Sequence, residues 1–538
     1  MAIVTRSSFD LQGSLNFELA IFAWLSCSVI ALYLFFNRQR YPDAPVLRVS
    51  TKPGPLGALD DTATSVTDMM KLLEVGWQRY SKKGINYLLN VPKEKLYIVA
   101  PKYFEEIRRA PDSHVSNLAA NNELMQLGHT LHRRLMWDQY HFELPIRKSL
   151  TQSLGPKLPD IVEEAKLSLV EYIGDCTDWK PLLMSRLSFD IITRTANRLL
   201  FGTHLARDSE FQELSINYTE VMFGGANMIR NYPEILKPLV MWWKTDIYKA
   251  QAIARRHLIP ILNQRIAEED RYVSNGQQDE WQKIKPDDTI QWVLDVTPRE
   301  ERRADRLVYR MLHINIAAVH TSSTTFLSSF LCLAMMPDVQ RELREEITEV
   351  FRREGGWSKQ TLTHLAKLDS FISESLRLCV MSALKMGRVT VKDWQFSDGT
   401  KVPKGVKIFC NHLPLVLDND YINHANDFDP WRMYKKRQEQ GQANQHQFVM
   451  TSQTNLTFGH GKHACPGRFF AANELKTLMA LMLMVYEFRV INLDGGLEEI
   501  IRGFWYNMDR ITPQHAKVEF KDRSKEIDND LKHHFALF

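Results

Sequence analysis

Residues 458–471 read FGHGKHACPGRFFA, a single cysteine among three glycines, two histidines and a proline, directly ahead of an apolar run. No other stretch limits the fold as tightly. Gly459 and Gly461 allow a sharp backbone path, and Pro466 suits a first helical position, where its missing N–H is not needed. Cys465 then falls at a helix N-terminus, where free amides and the helix dipole favour the thiolate and so a metal ligand. Gly467 takes a side chain away from the helix face beside the sulfur, so a flat group can come close. Taken alone, the loop is also compatible with a structural cysteine, a Cys–His nucleophile or part of a zinc site.

With 538 residues, 44% of them hydrophobic, the chain can bury a large core. Its 68 Lys and Arg against 64 Asp and Glu leave a net charge of +4, too small for the basic footprint of a nucleic-acid binder. The six cysteines contain no C-x-x-C pair, which argues against a disulfide framework and a cysteine-rich zinc site and favours a reducing compartment. Residues 19–36 are an uncharged run of 18 residues, about 27 Å as a helix and matched to the thin endoplasmic-reticulum bilayer. Arg38, Arg40, Arg48 and Lys52 follow the run and only Arg6 precedes it. The expectation is a single-pass anchor in that membrane, with residues 1–18 lumenal and the rest cytoplasmic. A cleaved signal peptide is the competing reading; the run is long for one and lacks a small-x-small cleavage site. Pro42, Pro45, Pro53 and Pro55 make 37–60 a stiff hinge, and 61–538 reads as one large unit.

Apolar spacing of three and four predicts helices over 156–172, 182–200, 250–271, 305–336, 338–353 and 361–379. Short strands are predicted at 96–99, 389–391 and 402–409. The class is mainly α with a small β region. In 233–244, PEILKPLVMWWK, core packing is the first reading of Leu239, Val240, Met241, Trp242 and Trp243, and a bilayer contact the second.

Phe458, Gly461, Cys465 and Gly467 fit F-x-x-G-x-x-x-C-x-G, and in this the chain resembles the cytochrome P450 family of haem-thiolate monooxygenases. Three other stretches follow in the family's order. Glu374-Ser375-Leu376-Arg377 matches E-x-x-R, and Phe428-Asp429-Pro430-Trp431-Arg432 matches the segment whose arginine joins it. Residues 317–325, AAVHTSSTT, occupy the place of A/G-G-x-D/E-T-T/S, with Ala317, Ala318, His320, Thr321 and Ser322 in the family positions. There are departures: Ala318 stands for glycine, His320 for the carboxylate, Val380 for a proline, and Glu143 for the tryptophan four residues before Arg147.

The resemblance implies haem b with Cys465 as axial thiolate, in a single haem-thiolate fold behind the anchor. It implies Phe458, Gly461 and Gly467 shaping the cofactor loop; His463, Arg388 and Arg147 meeting the propionates; Glu374, Arg377 and Arg432 as a buried structural network; and Thr321 with His320 managing protons. The reaction implied is insertion of one oxygen atom from O2 into an apolar small molecule. No dinucleotide fingerprint is present, so electrons are expected from an NADPH-dependent membrane reductase docking near Lys462, His463 and Arg468. The histidine at 320 resembles fungal members acting on terpenoids and other secondary metabolites. A haem-thiolate isomerase or lyase working without reductase is the alternative, and a non-enzymatic haem-binding protein a distant third.

Overall fold

The computed structural model describes residues 39–133 and 145–537. The run 19–36, the residues before it and Glu143 lie outside the described residues. Within them helices dominate and four small sheets form the β part.

The organising element is the helix Ala304–Ala334, 31 residues and about 46 Å long. By length and composition it could cross a membrane, but 72% of its apolar window is buried inside the protein. It is a core helix: Phe326, Leu327, Phe330 and Leu331 join one apolar cluster with the helix that follows the cysteine loop, Arg468–Val485. In that second helix every residue from 474 to 485 is buried, as its nearly uninterrupted apolar sequence requires. Met184–Phe201 and Ile247–Ser274 pack along the flank of the central helix.

The five-stranded sheet runs Tyr87–Val91, Glu94–Val99, Lys407–Asn411, Leu384–Thr390, Val115–Ser116. Glu94–Val99 and Lys407–Asn411 pair in parallel, and such a pair needs a crossover connection. Here most of the helical body is that connection, so the sheet joins segments about 310 residues apart, Glu94–Val99 and Lys407–Asn411. Leu384–Thr390, antiparallel to Lys407–Asn411, carries a bulge between Lys385 and Arg388.

Three expectations change, one of them the predicted 402–409 strand, which is two short strands of different sheets, Lys401–Val402 and Lys407–Asn411. The predicted 361–379 helix is two helices, Lys359–His364 and Ala366–Leu378, broken at Leu365. The break is stabilised from outside: the Glu346 carboxylate accepts the N–H groups of Lys367 at 2.6 Å and Leu368 at 3.0 Å, capping the second helix. Residues 54–67, Gly54–Thr67, are helical and pack against Tyr87–Val91 and Met69–Arg79, so the body of the protein begins inside the proline-rich stretch. The helix Ser209–Ile229 has no counterpart in the sequence reading; its Gly224-Gly225 pair weakens helix propensity, while Asp208 caps its start by accepting from the Phe211 N–H at 2.8 Å.

Candidate active site

The cysteine loop enters a cavity of about 550 Å³ between the central helix, the strand Leu384–Thr390 and the start of Arg468–Val485. The loop is held by its own backbone: the Cys465 N–H donates to the Phe458 carbonyl at 2.8 Å, and the Ala464 N–H to Gly461 at 3.0 Å. Gly461 is required twice over, having φ +77° and no room for a Cβ, which would run into the Arg108 side chain. Phe458 closes the wall edge-on to Phe448, ring centres 5.1 Å apart.

The helix begins at Arg468 with Gly467 as its N-cap, so Pro466 lies in a turn and not at the first helical position. Cys465 nevertheless receives the amides of Gly467 and Arg468. Burial outweighs them and pushes the thiol pKa up, the reverse of the expected depression. The sulfur lines the cavity, and a Cβ on Gly467 would meet open space, so the approach of a flat group beside Cys465 is clear. Among the described residues no three His, Cys, Asp or Glu side chains cluster as a metal site. Cys465 is the cysteine among the residues lining the cavity.

The cations expected at the propionates are placed differently from one another. Arg388 is buried at the cavity wall and its Nη1 donates to the Gly387 carbonyl at 2.9 Å. No carboxylate forms an ion pair with it among the described residues, and burial lowers its pKa. A buried guanidinium facing a cavity without a counter-ion fits an anionic ligand. His463 also lines the cavity, with Nε2 2.8 Å from Asp112 Oδ1. Arg147 is on the cavity wall in Pro145–Leu150 and is exposed. The described residues therefore fit haem b: a half-buried sulfur on the cavity wall, a clear face beside it and cations at the rim.

On the opposite wall Ala317, Ala318, Thr321 and Thr325 of the central helix border the cavity. Thr321 is open to it and its hydroxyl donates to the Ala317 carbonyl at 2.7 Å, leaving oxygen lone pairs for a donor in the cavity. His320 also borders the cavity; its ring lies beside Phe189, centres 5.5 Å apart, its Nδ1 is buried without a partner, and burial lowers its pKa.

Glu374, Arg377 and Arg432 are in contact and buried. Arg377 binds the carboxylate in a fork, Nε to Oε2 at 2.9 Å and Nη2 to Oε1 at 2.7 Å, and Arg432 Nε reaches Oε1 at 3.1 Å. The outer faces of both guanidiniums donate to the carbonyls of Val416, Asn423, His424, Ala425 and Asp427. The network thus folds the segment from 416 to 432 around one carboxylate.

Of the three residues expected at a reductase face, Lys462 is exposed and paired with Asp112 at 2.8 Å. His463 is turned inward, and Arg468 donates to the carbonyls of Val449 and Cys465 at 3.1 and 2.9 Å. Two polar groups escaped the sequence reading. Glu474, fully buried behind the central helix, accepts from Thr195 at 2.8 Å while its Oε2 has no partner, and burial pushes it up to about 8. Lys385 borders the cavity three residues before Arg388.

A family model described as cytochrome P450 matches residues 78–503. The relatives include Cytochrome P450 monooxygenase AN1598 of Emericella nidulans, 33% identical over 73% of each chain. Cytochrome P450 monooxygenase olcJ of Penicillium canescens is 30% identical over 87% of this chain and 88% of its own. Cytochrome P450 monooxygenase 151 of Postia placenta is 30% identical over 92% and 97%.

Proposed function

This chain belongs to the cytochrome P450 family, a haem b enzyme with cysteine thiolate ligation and an oxidoreductase of the monooxygenase class, and on that premise we propose that it oxidises an apolar small molecule of fungal secondary metabolism, such as a terpenoid, with electrons from NADPH through a membrane reductase. The observation that carries the reading is one cavity that joins the Cys465 sulfur, the unpaired Arg388 and the Thr321 hydroxyl. Bound there, haem b supplies a thiolate-ligated iron that activates dioxygen toward C–H bonds. The chain supplies the rest. Cys465 would hold the iron through its sulfur, with the amides of Gly467 and Arg468 turned to its charge. Arg388 and His463 meet the cofactor's anionic edge, and apolar walls hold the substrate out of water.

Thr321 is the proton-handling group in this proposal: its hydroxyl, donating to the Ala317 carbonyl, keeps lone pairs that accept at the cavity face, and rotation about its C–O bond turns the proton toward the cavity. His320 packs beside it. In Thr321→Ala, haem content stays normal while product formed per NADPH falls by about tenfold, less than a sole proton donor is worth because ordered water substitutes in part. Peroxide released per NADPH rises correspondingly. His320→Ala uncouples less. The assay uses the purified holoenzyme with an NADPH-dependent reductase; oxidised product formed without NADPH, from a peroxide substrate, would replace this reading by the isomerase or lyase one.

Membrane placement belongs to the same proposal. In the helix Lys237–Lys244, Val240 and Met241 are buried while Leu239, Trp242 and Trp243 are 59%, 70% and 72% exposed. Core packing therefore accounts for two of those five residues and leaves an apolar edge outside, extended by Ile235 at 86%. Exposed tryptophans of this kind suit a bilayer interface. A chain beginning after Pro42 is expected to sediment with phospholipid vesicles, and Trp242→Ser with Trp243→Ser to release it. Equal sedimentation of the two proteins removes this contact from the proposal.

A further inference from the structure

The strand Leu384–Thr390 brings two cations to the cavity, and only one of them is accounted for by the cofactor. Lys385 pairs across the sheet with Cys410, and Arg388 with Ile408. Cys410 and Ile408 are two apart and share a face; Lys385 and Arg388 are three apart, so without the extra residue they would point oppositely. The bulge puts them on the same face. Its backbone is strained, with Met386 at φ +54°, a conformation that persists where the surroundings enforce it.

Lys385 is deep in the protein, yet part of its surface is accessible. Its ammonium makes no hydrogen bond or ion pair among the described residues. Asp509 acts on it only at longer range and makes no ion pair with it; that carboxylate is exposed, and the Ser382 hydroxyl beside it donates to the Met508 carbonyl at 3.1 Å. His412 nearby is neutral, with both ring nitrogens buried and unpartnered. An unpaired buried ammonium is costly unless something anionic arrives to meet it. Leu118, Ile314, Leu376, Val380 and Met386 make the adjoining wall apolar.

We propose that Lys385 is a specificity-determining residue: it takes the carboxylate of a substrate whose remaining body is apolar. The proposal rests on reading the cavity as the substrate chamber of a monooxygenase. A carboxylate supplies acceptors to a compact cation with three donors, and it fixes one end of a molecule whose other contacts are non-directional. The same substrate with its carboxylate esterified leaves the ammonium unpaired.

The test is equilibrium dialysis of the holoenzyme against monocarboxylic acids of roughly ten to twenty carbons, linear and polycyclic, each beside its methyl ester. At least one acid is expected to bind about tenfold more tightly than its ester. Lys385→Met is expected to bring the pair to parity, and Lys385→Arg to retain part of the preference. Three results overturn the proposal: no acid preferred by the wild-type protein, a preference that survives Lys385→Met, or loss of haem from Lys385→Met, which would assign Lys385 to the cofactor. The wild-type comparison stands without any variant. Haem content, read from the reduced carbon-monoxide spectrum, is scored separately; its absence in the wild-type protein overturns the proposed function, whereas normal haem with no acid preference overturns only the role of Lys385.

Discussion

Cys465→Ala is expected to abolish monooxygenation while leaving the backbone of the cysteine loop in place. The loop is held by the Cys465 and Ala464 amides and by Gly461, none of which depends on the sulfur. What disappears is the proposed protein ligand. Removing groups that merely support a metal ligand already costs about 10–100-fold, so loss of the ligand itself takes turnover below that range. Apparent stability falls as well, because a cofactor that binds the folded chain stabilises it by mass action. Two measurements check this: the absorption band of the reduced carbon-monoxide complex, which loses the position characteristic of thiolate ligation, and product formation with NADPH and reductase. An unchanged band in Cys465→Ala would sink the assignment of Cys465.

The elements that could be read from sequence are those whose cause is local. The central helix repeats its apolar spacing for its whole length and stops short of Pro337, so 305–336 differs from Ala304–Ala334 by one residue at one end and two at the other. The break at Leu365 has a different origin. Its stabilising carboxylate, Glu346, comes from the helix Pro337–Glu354, and burial there pushes it up to about 7; periodicity within 361–379 holds no trace of that neighbour. Ser209–Ile229 was hidden by the opposite effect, a glycine pair that weakens local propensity while Phe211, Tyr218 and Met222 are buried by tertiary packing.

The site divides in the same way. Cys465, Gly461 and Glu374 carry their meaning in spacing, because the chemistry needs them at fixed offsets. Lys385 shares the cavity face with Arg388 only through a register shift against Lys407–Asn411, which strict alternation along the strand would have denied. The Asp112 carboxylate that holds both Lys462 and His463 is some 350 residues away in sequence, 351 from His463, and no local pattern points to it. The expected thiol pKa failed for a related reason: helix-terminus amides are predictable from sequence, but the depth of burial that overrides them is not.

Glu374→Ala is expected to be the most destabilising substitution in the scaffold, at about 3–5 kcal/mol, since it strands two buried guanidiniums at once. Arg377 and Arg432 are 5% and 8% exposed and would lose their carboxylate while keeping only carbonyl partners. A typical domain has about 5–15 kcal/mol in total, so little haem-loaded protein accumulates. Glu374→Gln retains shape and an acceptor and lies between the two. The network fastens the 416–432 segment against Ala366–Leu378 and does not line the cavity. Its effect is therefore on the amount of folded protein and not on chemistry. Urea unfolding monitored by circular dichroism measures the first, and turnover per haem measures the second. Whatever Glu374→Gln loads with haem should turn over at the wild-type rate. A Glu374→Gln protein of wild-type stability whose turnover per haem collapses would move Glu374 from scaffold to catalysis.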